Sequence, residues 1–498
     1  MVSEESSKSY EHILKYTSIF GGVQGLNVLI GLVRNKIIAV LLGPGGMGLA
    51  SLFNTTVSFV SQSTNLGISF SAVKHVSELF DQGDEARVAH YIRVVRAWSL
   101  LTGLIGMLVC IAIGPLLNNY TFSWGDHTLH FVMLAPAVGL LAITGGETAI
   151  LKGARRLRSL AVIQVYSVIA ALIISIPLYY FFGETGIVPA IVLMAFSSML
   201  LTVWYSYRLY PLKNSFGRKV LGEGVDMVKL GVAFTLAQIA GTSAEMFIRS
   251  YMNVIGDLED VGLYNVGYMI SVAYASLIFS AMETDYFPRL SAVNSDVEAT
   301  SLTANKQIEV SLLMISPMLV MLIVGLPLLV PLLFSAKFVP VVPMAKLAAL
   351  AMYMKVITLP VAYITLARGS SRSYLFLETS YYVVLVLLII FGYSHWGIIG
   401  TGAALVLAHV FDLLLIWTYA VIVYHYRISA TVVRYAVVQT LLGVATYLLT
   451  TSLPHTNWLY WVGGTLLFIL SFGYSFCIIR SKTSLWHSLR NKFLNKQS

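Results

Sequence analysis

The chain has 498 residues, of which 57% are hydrophobic and 11% are charged, and its formal net charge is +9. Soluble domains carry roughly 25% charged residues, so this composition excludes an ordinary hydrated surface. Apolar runs extend along the whole chain, which indicates that lipid is the main solvent. Backbone groups in lipid need internal partners, which leaves helices or a closed barrel. The runs are long, as in residues 375–393, whereas barrel strands alternate over about ten residues, so we predict helices.

Fourteen membrane spans are predicted in chain order, because a helix needs about 20 apolar residues to cross the bilayer core. They are residues 16–42, 47–73, 94–118, 128–151, 157–182, 186–208, 226–254, 262–287, 308–334, 340–367, 373–394, 397–424, 431–452 and 457–479. Residues 1–15 are polar, which predicts a short disordered cytoplasmic lead and not a cleavable signal. Residues 480–498 are predicted to form a basic cytoplasmic tail. The predicted fold class is an all-α polytopic membrane protein.

The positions of the basic residues test this number of spans. Cytoplasmic loops of membrane proteins collect Lys and Arg. With the N-terminus inside, 25 of the 32 basic residues fall in predicted cytoplasmic segments, and the outer loops hold Lys337 alone. One missed span would invert every later loop, so we predict an even number of spans with both termini cytoplasmic. The positive charge is therefore a topology signal, and nucleic acid is not an expected partner.

The loops between the predicted spans are too short to fold as catalytic or ATP-binding domains. A Gly-rich phosphate-binding loop followed by Lys and Ser or Thr does not occur. Cys110 and Cys477 lie in apolar runs and fit neither a disulfide framework nor a zinc site. We therefore expect a protein without cofactor, metal or catalytic residues.

Two segments of the sequence are similar at a nearly fixed spacing of 213 to 215 residues. The paired positions are Gln24 and Gln238, Arg34 and Arg249, Gly43 and Gly256, and Gly48 and Gly262. Six spans separate the copies, so both have the same orientation, which predicts two parallel six-helix lobes. These lobes are residues 16–208 and 226–424, joined by a cytoplasmic linker at 209–225, and residues 431–479 form an additional helix pair.

Polar residues form stripes inside three of the predicted spans. They are Gln24, Asn27 and Arg34 in the first span, Asn54 and Asn65 in the second, and Gln238, Glu245 and Arg249 in the seventh. At about 100° per residue, each stripe follows one side of its helix. A central cation facing lipid costs roughly 2.5–3.5 kcal/mol even on the mildest scale. We therefore expect these faces to line a water-filled cavity or a helix–helix contact.

Arg34 and Arg249 are the main candidates for cations that face such a cavity. Each could instead turn outward or pair locally, and Glu245 stands four residues before Arg249, at the spacing of an ion pair along a helix. Lys355 lies near the middle of the tenth span and is a third candidate, whereas Lys346 lies nearer the outer end of that span.

Acidic residues are fewer inside the spans. His409 and Asp412 are three residues apart in the twelfth span and are candidates for proton or ion coupling. A structural hydrogen bond between helices is the alternative interpretation. Glu147 lies near a predicted cytoplasmic end, where we expect it to be hydrated.

Three stretches carry a resemblance to a known family. Residues 34–48 read RNKIIAVLLGPGGMG, Phe247–Arg249 is followed by Gly256 and 261–264, and 287–291 reads FPRLS. They resemble the signatures of polysaccharide flippases in the multidrug/oligosaccharidyl-lipid/polysaccharide exporter superfamily. Glu245 departs from the pattern, because many members have Asp there.

The resemblance implies a translocase for O-antigen or capsule units in the bacterial inner membrane. Its substrate would be an undecaprenyl-diphosphate-linked oligosaccharide, whose sugar head crosses through the cavity while the lipid tail stays in the bilayer. Arginine offers paired donors to phosphate, and the polar stripes suit sugar hydroxyls. Two lobes rocking around a midplane site would give alternating access. The implied partners are the lipid-linked oligosaccharide, the bilayer, and a polysaccharide polymerase with its chain-length machinery.

Three alternatives stay open. A cation-coupled multidrug exporter of the same superfamily would prefer an acidic cavity, whereas the candidates here are mainly basic. A lipid II flippase would also have a basic cavity, so charge does not separate it from the leading hypothesis. A membrane polysaccharide polymerase or ligase is an enzyme and would need a sizeable outer loop with catalytic Arg or His.

Overall fold

The computed structural model describes residues 2–121, 126–211 and 218–482, which form fourteen α-helices and no strand. The α-helices are α1 (Val2–Thr64), α2 (Ile68–Asp81), α3 (Glu85–Thr121), α4 (Thr128–Gly153), α5 (Leu157–Phe182), α6 (Ile187–Leu209), α7 (Arg218–Glu223), α8 (Val225–Ile255), α9 (Leu258–Ala292), α10 (Val297–Leu333), α11 (Val342–Ala367), α12 (Ser371–Tyr424), α13 (Ala430–Ser452) and α14 (Trp458–Lys482). Two 3-10 helices, η1 (Gly183–Gly186) and η2 (Ala336–Val341), precede α6 and α11. The predicted all-α membrane fold is confirmed.

Nine helical stretches of the described chain are long and apolar enough to cross a membrane. Two of them, Arg158–Leu209 and Arg372–Tyr424, each contain two predicted spans in succession. The seventh and eighth predicted spans lie on α8 and α9. The predicted spans therefore fall on helices, with differences mainly at the ends.

Two segments differ from their prediction. The second predicted span, 47–73, is interrupted between α1 and α2, where Leu66 and Gly67 have φ angles of 51° and 70°. Such left-handed residues cannot continue a right-handed helix. The N-terminal lead, which was predicted to be disordered, also differs from its prediction, because helix α1 begins at Val2.

Glycine permits sharp bends within two of the long helices. α1 bends at Gly43 (φ 66°, ψ −172°), and α12 bends at Gly397 (φ 58°, ψ −144°). Residues that carry a Cβ rarely adopt these angles, so the bends depend on glycine. Each bend joins two predicted spans without a loop between them.

The chain divides into two compact units, residues 1–262 with 333–335 and residues 263–332 with 336–498. In the first unit, α1 packs against α5 and α8, and α3 packs against α4. In the second unit, α11 packs against α12 and α13. α8, the first helix of the predicted second lobe, also packs against α2 of the first unit. The two six-helix lobes stay a prediction.

A buried ion pair joins three helices of the first unit. Arg96 of α3 donates from Nε to Glu147 Oε1 of α4 (2.8 Å) and from Nη1 to the carbonyl oxygen of Tyr210 (2.9 Å). Ser206 of α6 donates to Glu147 Oε2 (2.5 Å), and the Tyr207 ring lies 3.9 Å from the guanidinium carbon. The Arg96 and Glu147 side chains are 4% and 3% exposed. The expectation that Glu147 is hydrated was wrong, because Arg96 provides the partner that a buried carboxylate requires.

The two copies of the sequence repeat meet at equivalent glycines. A Cβ placed on Gly48 would overlap the carbonyl oxygen of Leu258 and lie 3.0 Å from the nitrogen of Gly262. A Cβ placed on Gly262 would overlap the carbonyl oxygen of Pro44 and lie 3.1 Å from the nitrogen of Gly48. Pro44 and Leu258 are 214 residues apart, as are the two glycines. The contact is therefore reciprocal, and it requires the absence of both side chains.

Candidate functional site

Arg249 is held between α8 and α1 in the first unit. Its Nη1 donates to Glu245 Oε2 (3.0 Å) and to the Glu245 carbonyl oxygen (3.3 Å), and its Nε donates to Ser51 Oγ (2.9 Å). The Arg249 side chain is 6% exposed and that of Glu245 is 45% exposed. The local ion pair that the four-residue spacing suggested is thus present, with the cation buried and the carboxylate half-exposed.

Hydrogen bonds to α3 fix the orientation of α8 next to Arg249. The Ser250 and Thr121 hydroxyl oxygens are 3.2 Å apart, and Asn253 Nδ2 donates to the carbonyl oxygen of Thr121 (2.6 Å). The polar stripe of α8 therefore serves in part as a helix–helix contact. Because these bonds restrict rotation of the helix, they also position the Arg249 side chain.

Arg34 has different neighbours from its repeat counterpart. Its Nε donates to Ser175 Oγ of α5 (3.4 Å), and its Nη2 lies 3.2 Å from the Met194 sulfur of α6. Tyr179 of α5 is close enough to interact electrostatically with the Arg34 side chain. Ser175 and Tyr179 are buried. These contacts belong to α5 and α6, whereas those of Arg249 belong to α1 and α8, so a cavity-facing role for Arg34 stays a prediction.

The uncharged candidates lie in varied surroundings. Asn54 is exposed and donates to the carbonyl oxygen of Ala50 (2.8 Å), a bond within its own helix. Gln238 is exposed on α8. The side chains of Gln24 and Asn27 lie outside the described residues, although helix α1 includes their positions. Their predicted roles are therefore not addressed by the structure.

Asn65 lies at the interruption between α1 and α2. Its Nδ2 donates to Ser69 Oγ (3.0 Å), and its Oδ1 is buried without a hydrogen-bond partner among the described residues. Gly145 of α4 is close by, since a Cβ there would lie 3.9 Å from Asn65 Nδ2. A buried acceptor that lacks a partner is costly, so this amide is suited to receive a hydrogen bond from a bound hydroxyl group or water.

Lys355 and His409 come together in the second unit around Tyr381. The Lys355 ammonium lies 5.5 Å from the centre of the Tyr381 ring, at cation–π distance. The Tyr381 hydroxyl is 3.4 Å from His409 Nδ1, and the two rings are T-shaped with centroids 5.3 Å apart. His409 Nδ1 also lies 2.9 Å from the carbonyl oxygen of Leu405. A carbonyl oxygen only accepts, so we assign the imidazole proton to Nδ1, which leaves Nε2 as the acceptor in the neutral ring.

Asp412 completes this cluster. Asp412 and His409 are both buried, and each interacts electrostatically with Lys355. Glu378 adds a second negative charge next to Asp412. The attraction between Lys355 and Asp412 offsets part of the cost of burying either charge. Lys355, predicted as a cavity cation, and the predicted pair of His409 and Asp412 thus form one polar centre between α11 and the two halves of α12.

The cluster is suited to bind and release a proton or a small cation. A change of charge at one of its residues alters the electrostatic interaction with both a positive and a negative neighbour. In the part of the chain that the structure describes, no three His, Cys, Asp or Glu residues are arranged to hold a metal ion. Sequence reasoning missed Ser51 and Tyr381. A serine or a tyrosine within an apolar run has no distinguishing signal, since its partner is far away in the chain.

Long apolar helices with buried charges define a multi-pass membrane protein, and solved structures of this architecture are similar. A lipid II flippase, MurJ in an inward closed conformation, matches with a TM-score of 0.68 over 92% of this chain and 98% of that chain, at 14% identity. An inward-facing MATE multidrug transporter of the MOP superfamily matches with a TM-score of 0.66 over 79% and 94%, at 16% identity. At these identities, the likeness shows the fold.

A family model described as "Polysaccharide biosynthesis protein" matches residues 37–343. The match covers more than half of the chain, and the protein belongs to this family. The lipid III flippase of Escherichia coli (strain K12) is 23% identical over 393 residues, which are 75% of this chain and 88% of the relative. The lipid III flippase of Shigella flexneri matches to the same extent. These relatives confirm both the predicted resemblance and the prediction of a transporter rather than an enzyme.

Proposed function

We propose that the protein moves an undecaprenyl-diphosphate-linked oligosaccharide repeat unit from the inner to the outer leaflet of the bacterial inner membrane. The observation that carries the proposal is Arg249, which is 6% exposed on the predicted seventh span and is held by the half-exposed Glu245. An arginine at this depth is costly and points to a functional role. The relative named as a lipid III flippase supports a lipid-linked cargo.

The chemistry of such a cargo fits the candidate residues. A diphosphate needs cations, and a guanidinium can donate two parallel hydrogen bonds to phosphate oxygens. Sugar hydroxyls can donate to Asn65 Oδ1, one of the buried acceptors without a partner among the residues described. Arg34 is the second proposed cation, on the opposite copy of the repeat. In this proposal the cargo passes through a cationic central cavity by alternating access, with both termini in the cytoplasm.

The cluster of Lys355, His409 and Asp412 is the proposed coupling centre. Protonation of Asp412 or His409 would change the charge balance around Lys355 and so favour one arrangement of α11 and α12 over another. An inside-negative membrane potential also favours outward movement of a diphosphate, by about 2.3 kcal/mol per charge per 100 mV. Delivery of O-antigen units to a polymerase on the outer side belongs to the same proposal.

The test is reconstitution of the purified protein in liposomes that contain a fluorescent undecaprenyl-diphosphate trisaccharide in the inner leaflet. The proposal expects time-dependent exposure of the sugar to an external lectin. Arg249→Ala should slow this exposure by about tenfold or more, whereas Lys337→Met, which removes an exposed lysine of η2, should not. Equal rates with the active protein and with empty liposomes would overturn the proposal.

A lipid II flippase is the second candidate, because the MurJ structure matches over 92% of this chain. The same liposomes loaded with fluorescent lipid II separate the two candidates. Faster movement of lipid II than of the trisaccharide would favour lipid II as cargo. Export of a cationic dye without movement of either lipid would favour a multidrug exporter.

A further inference from the structure

A cavity of about 410 Å³ lies in the second unit, and the proposed cargo and coupling residues do not line it. It is formed by the beginning of α11 and by the turn between α13 and α14. Its polar lining includes Lys346, Thr450, Ser452 and His455. Prolines, valines and a leucine form much of the apolar wall. The cavity thus offers a cation next to an apolar surface.

Lys346 is the charged group of this cavity, and it is 6% exposed. Its ammonium donates to the carbonyl oxygen of Thr450 (2.7 Å) and lies 5.5 Å from the centre of the Tyr460 ring. Tyr460 is itself fixed by a hydrogen bond from its hydroxyl to the carbonyl oxygen of Val324 (2.9 Å). The ion pairs found among the described residues do not include Lys346. Both of its contacts are therefore with uncharged groups.

An ammonium in this position has no compensating charge from the described part of the chain. It has three donors, and burial without a counter-charge is costly. A neutral carbonyl oxygen satisfies one donor, and the ring face provides a weak attraction. An anion in the cavity would supply both the missing charge and further acceptors. The Ser452 hydroxyl at the wall could donate to the same anion, whereas that of Thr451 donates to the carbonyl oxygen of Tyr447 (2.8 Å).

The surroundings of the cavity indicate where such an anion comes from. Trp458 is 68% exposed at the start of α14, and Trp461 donates from its indole nitrogen to the carbonyl oxygen of His455 (2.7 Å). Exposed tryptophans at helix ends are typical of the membrane–water interface. Val339 and Leu459 are exposed apolar residues near the same rim. At that interface, phospholipid headgroups present a phosphate next to glycerol and acyl carbons.

We propose that this cavity binds the phosphate group of an anionic phospholipid, with Lys346 as its charged contact. The lipid would stabilise the junction of α11 with α13 and α14. The site is separate from the candidate cargo residues and does not depend on the proposed transport function. A free phosphate ion has the same recognition chemistry, and the experiment below distinguishes the two sources.

The test compares the thermal unfolding of the protein in nanodiscs of phosphatidylcholine and in nanodiscs that also contain phosphatidylglycerol. The wild type should unfold several degrees higher with phosphatidylglycerol, and native mass spectrometry should detect a retained phosphatidylglycerol molecule. Lys346→Met should lose both effects. The matched control is Lys337→Met, an exposed lysine nine residues earlier, which should keep both effects.

Each other outcome decides against the proposal. An equal rise in the wild type and in Lys346→Met would mean that phosphatidylglycerol acts through general surface charge. If Lys346→Met lowers the unfolding temperature by the same amount in both lipids, Lys346 stabilises the protein only through its hydrogen bond to Thr450. The same rise from inorganic phosphate in phosphatidylcholine nanodiscs would assign the cavity to a free anion. If Lys346→Met fails to fold, Ser452→Trp fills the cavity while the lysine is retained, and an undiminished lipid response in that variant would overturn the proposal.

Discussion

Gly48 of α1 and Gly262 of α9 lie against each other's repeat copy, each beside the carbonyl oxygen four residues before the other glycine. These oxygens belong to Leu258 and Pro44. The spacing of 214 residues applies to both pairs, so the contact joins equivalent points of the repeat. Backbones this close allow Cα–H···O contacts. They leave no room for a side chain at either position.

We expect Gly48→Ala and Gly262→Ala each to separate the two backbones. The added methyl group would overlap a carbonyl oxygen, which cannot move as a flexible side chain does. Overpacking of this kind costs about 1–3 kcal/mol. The expected result is a lower unfolding temperature in detergent together with reduced surface glycan in cells.

Gly45→Ala is the matched control, because a Cβ at Gly45 would meet no atom within 4 Å. It should leave both the unfolding temperature and the surface glycan unchanged. An equal loss of unfolding temperature and surface glycan in Gly45→Ala and Gly48→Ala would mean that the segment tolerates no substitution at all. The reciprocal contact would then not explain the effect of Gly48→Ala.

The two arginines give a second prediction. Arg34→Ala and Arg249→Ala should each abolish surface glycan while the protein remains in the membrane, which immunoblots of membrane fractions would check. Arg249→Lys should retain part of the activity, because it keeps the charge but loses the forked donors. Normal glycan in both alanine variants would reject the cavity-cation hypothesis.

Arg34 needs a further control, because its contacts with Ser175 and Met194 could make it a purely structural residue. Ser175→Ala removes the hydroxyl partner and retains the guanidinium. A structural role predicts that Arg34→Ala lowers the unfolding temperature in proportion to its loss of glycan. A role with the cargo predicts loss of glycan at an unchanged unfolding temperature.

The helices could be predicted from sequence patterns because lipid requires each span to be a long apolar segment. The bends at Gly43 and Gly397 fall at predicted junctions between spans, where apolar runs are interrupted. The break at Leu66 was not predicted, since a leucine with positive φ has no sequence signature. Local periodicity therefore identified the spans but not every departure from helical geometry.

Contacts between residues far apart in sequence could not be predicted from such patterns. Glu147 stands near a helix end, and only the packing of α3 on α4 brings Arg96 to it. Lys355 and Asp412 were each recognised as buried charges, but their common neighbour Tyr381 depends on how α11 packs on α12. The pair of Glu245 and Arg249 within one helix could thus be predicted from its spacing, whereas contacts between residues on different helices could not.

The Arg96–Glu147 pair gives a third prediction, which concerns stability. Glu147→Ala should lower the free energy of unfolding by about 3–5 kcal/mol, because it leaves Arg96 buried without its counter-charge. The double variant Arg96→Met with Glu147→Leu should recover most of this loss, since it removes both charges together. Chemical denaturation in detergent measures both effects.

The control for that pair is the exposed ion pair of Lys74 and Glu78, which are 58% and 55% exposed. Glu78→Gln should change the free energy of unfolding by less than about 1 kcal/mol, because solvent screens the interaction. A double variant of Arg96 and Glu147 that is as unstable as Glu147→Ala would contradict the assigned role of the buried pair.

The cluster in the second unit gives the fourth prediction. Asp412→Asn and His409→Gln should make transport in liposomes insensitive to an imposed proton or cation gradient, because neither amide can change its charge. Asp126→Asn, which alters an exposed acid before α4, should respond to the gradient as the wild type does. Lower stability with an unchanged response to the gradient would support the alternative of a structural hydrogen bond.

The bend at Gly397 has a consequence for how the protein is made. Only one residue of α12 departs from helical angles between the eleventh and twelfth spans, so the connection between them is only a few residues long. If one span entered the bilayer alone, the apolar surface of the other span would remain unburied at the translocon. We therefore expect the two halves of α12 to leave the translocon together, as a preformed hairpin.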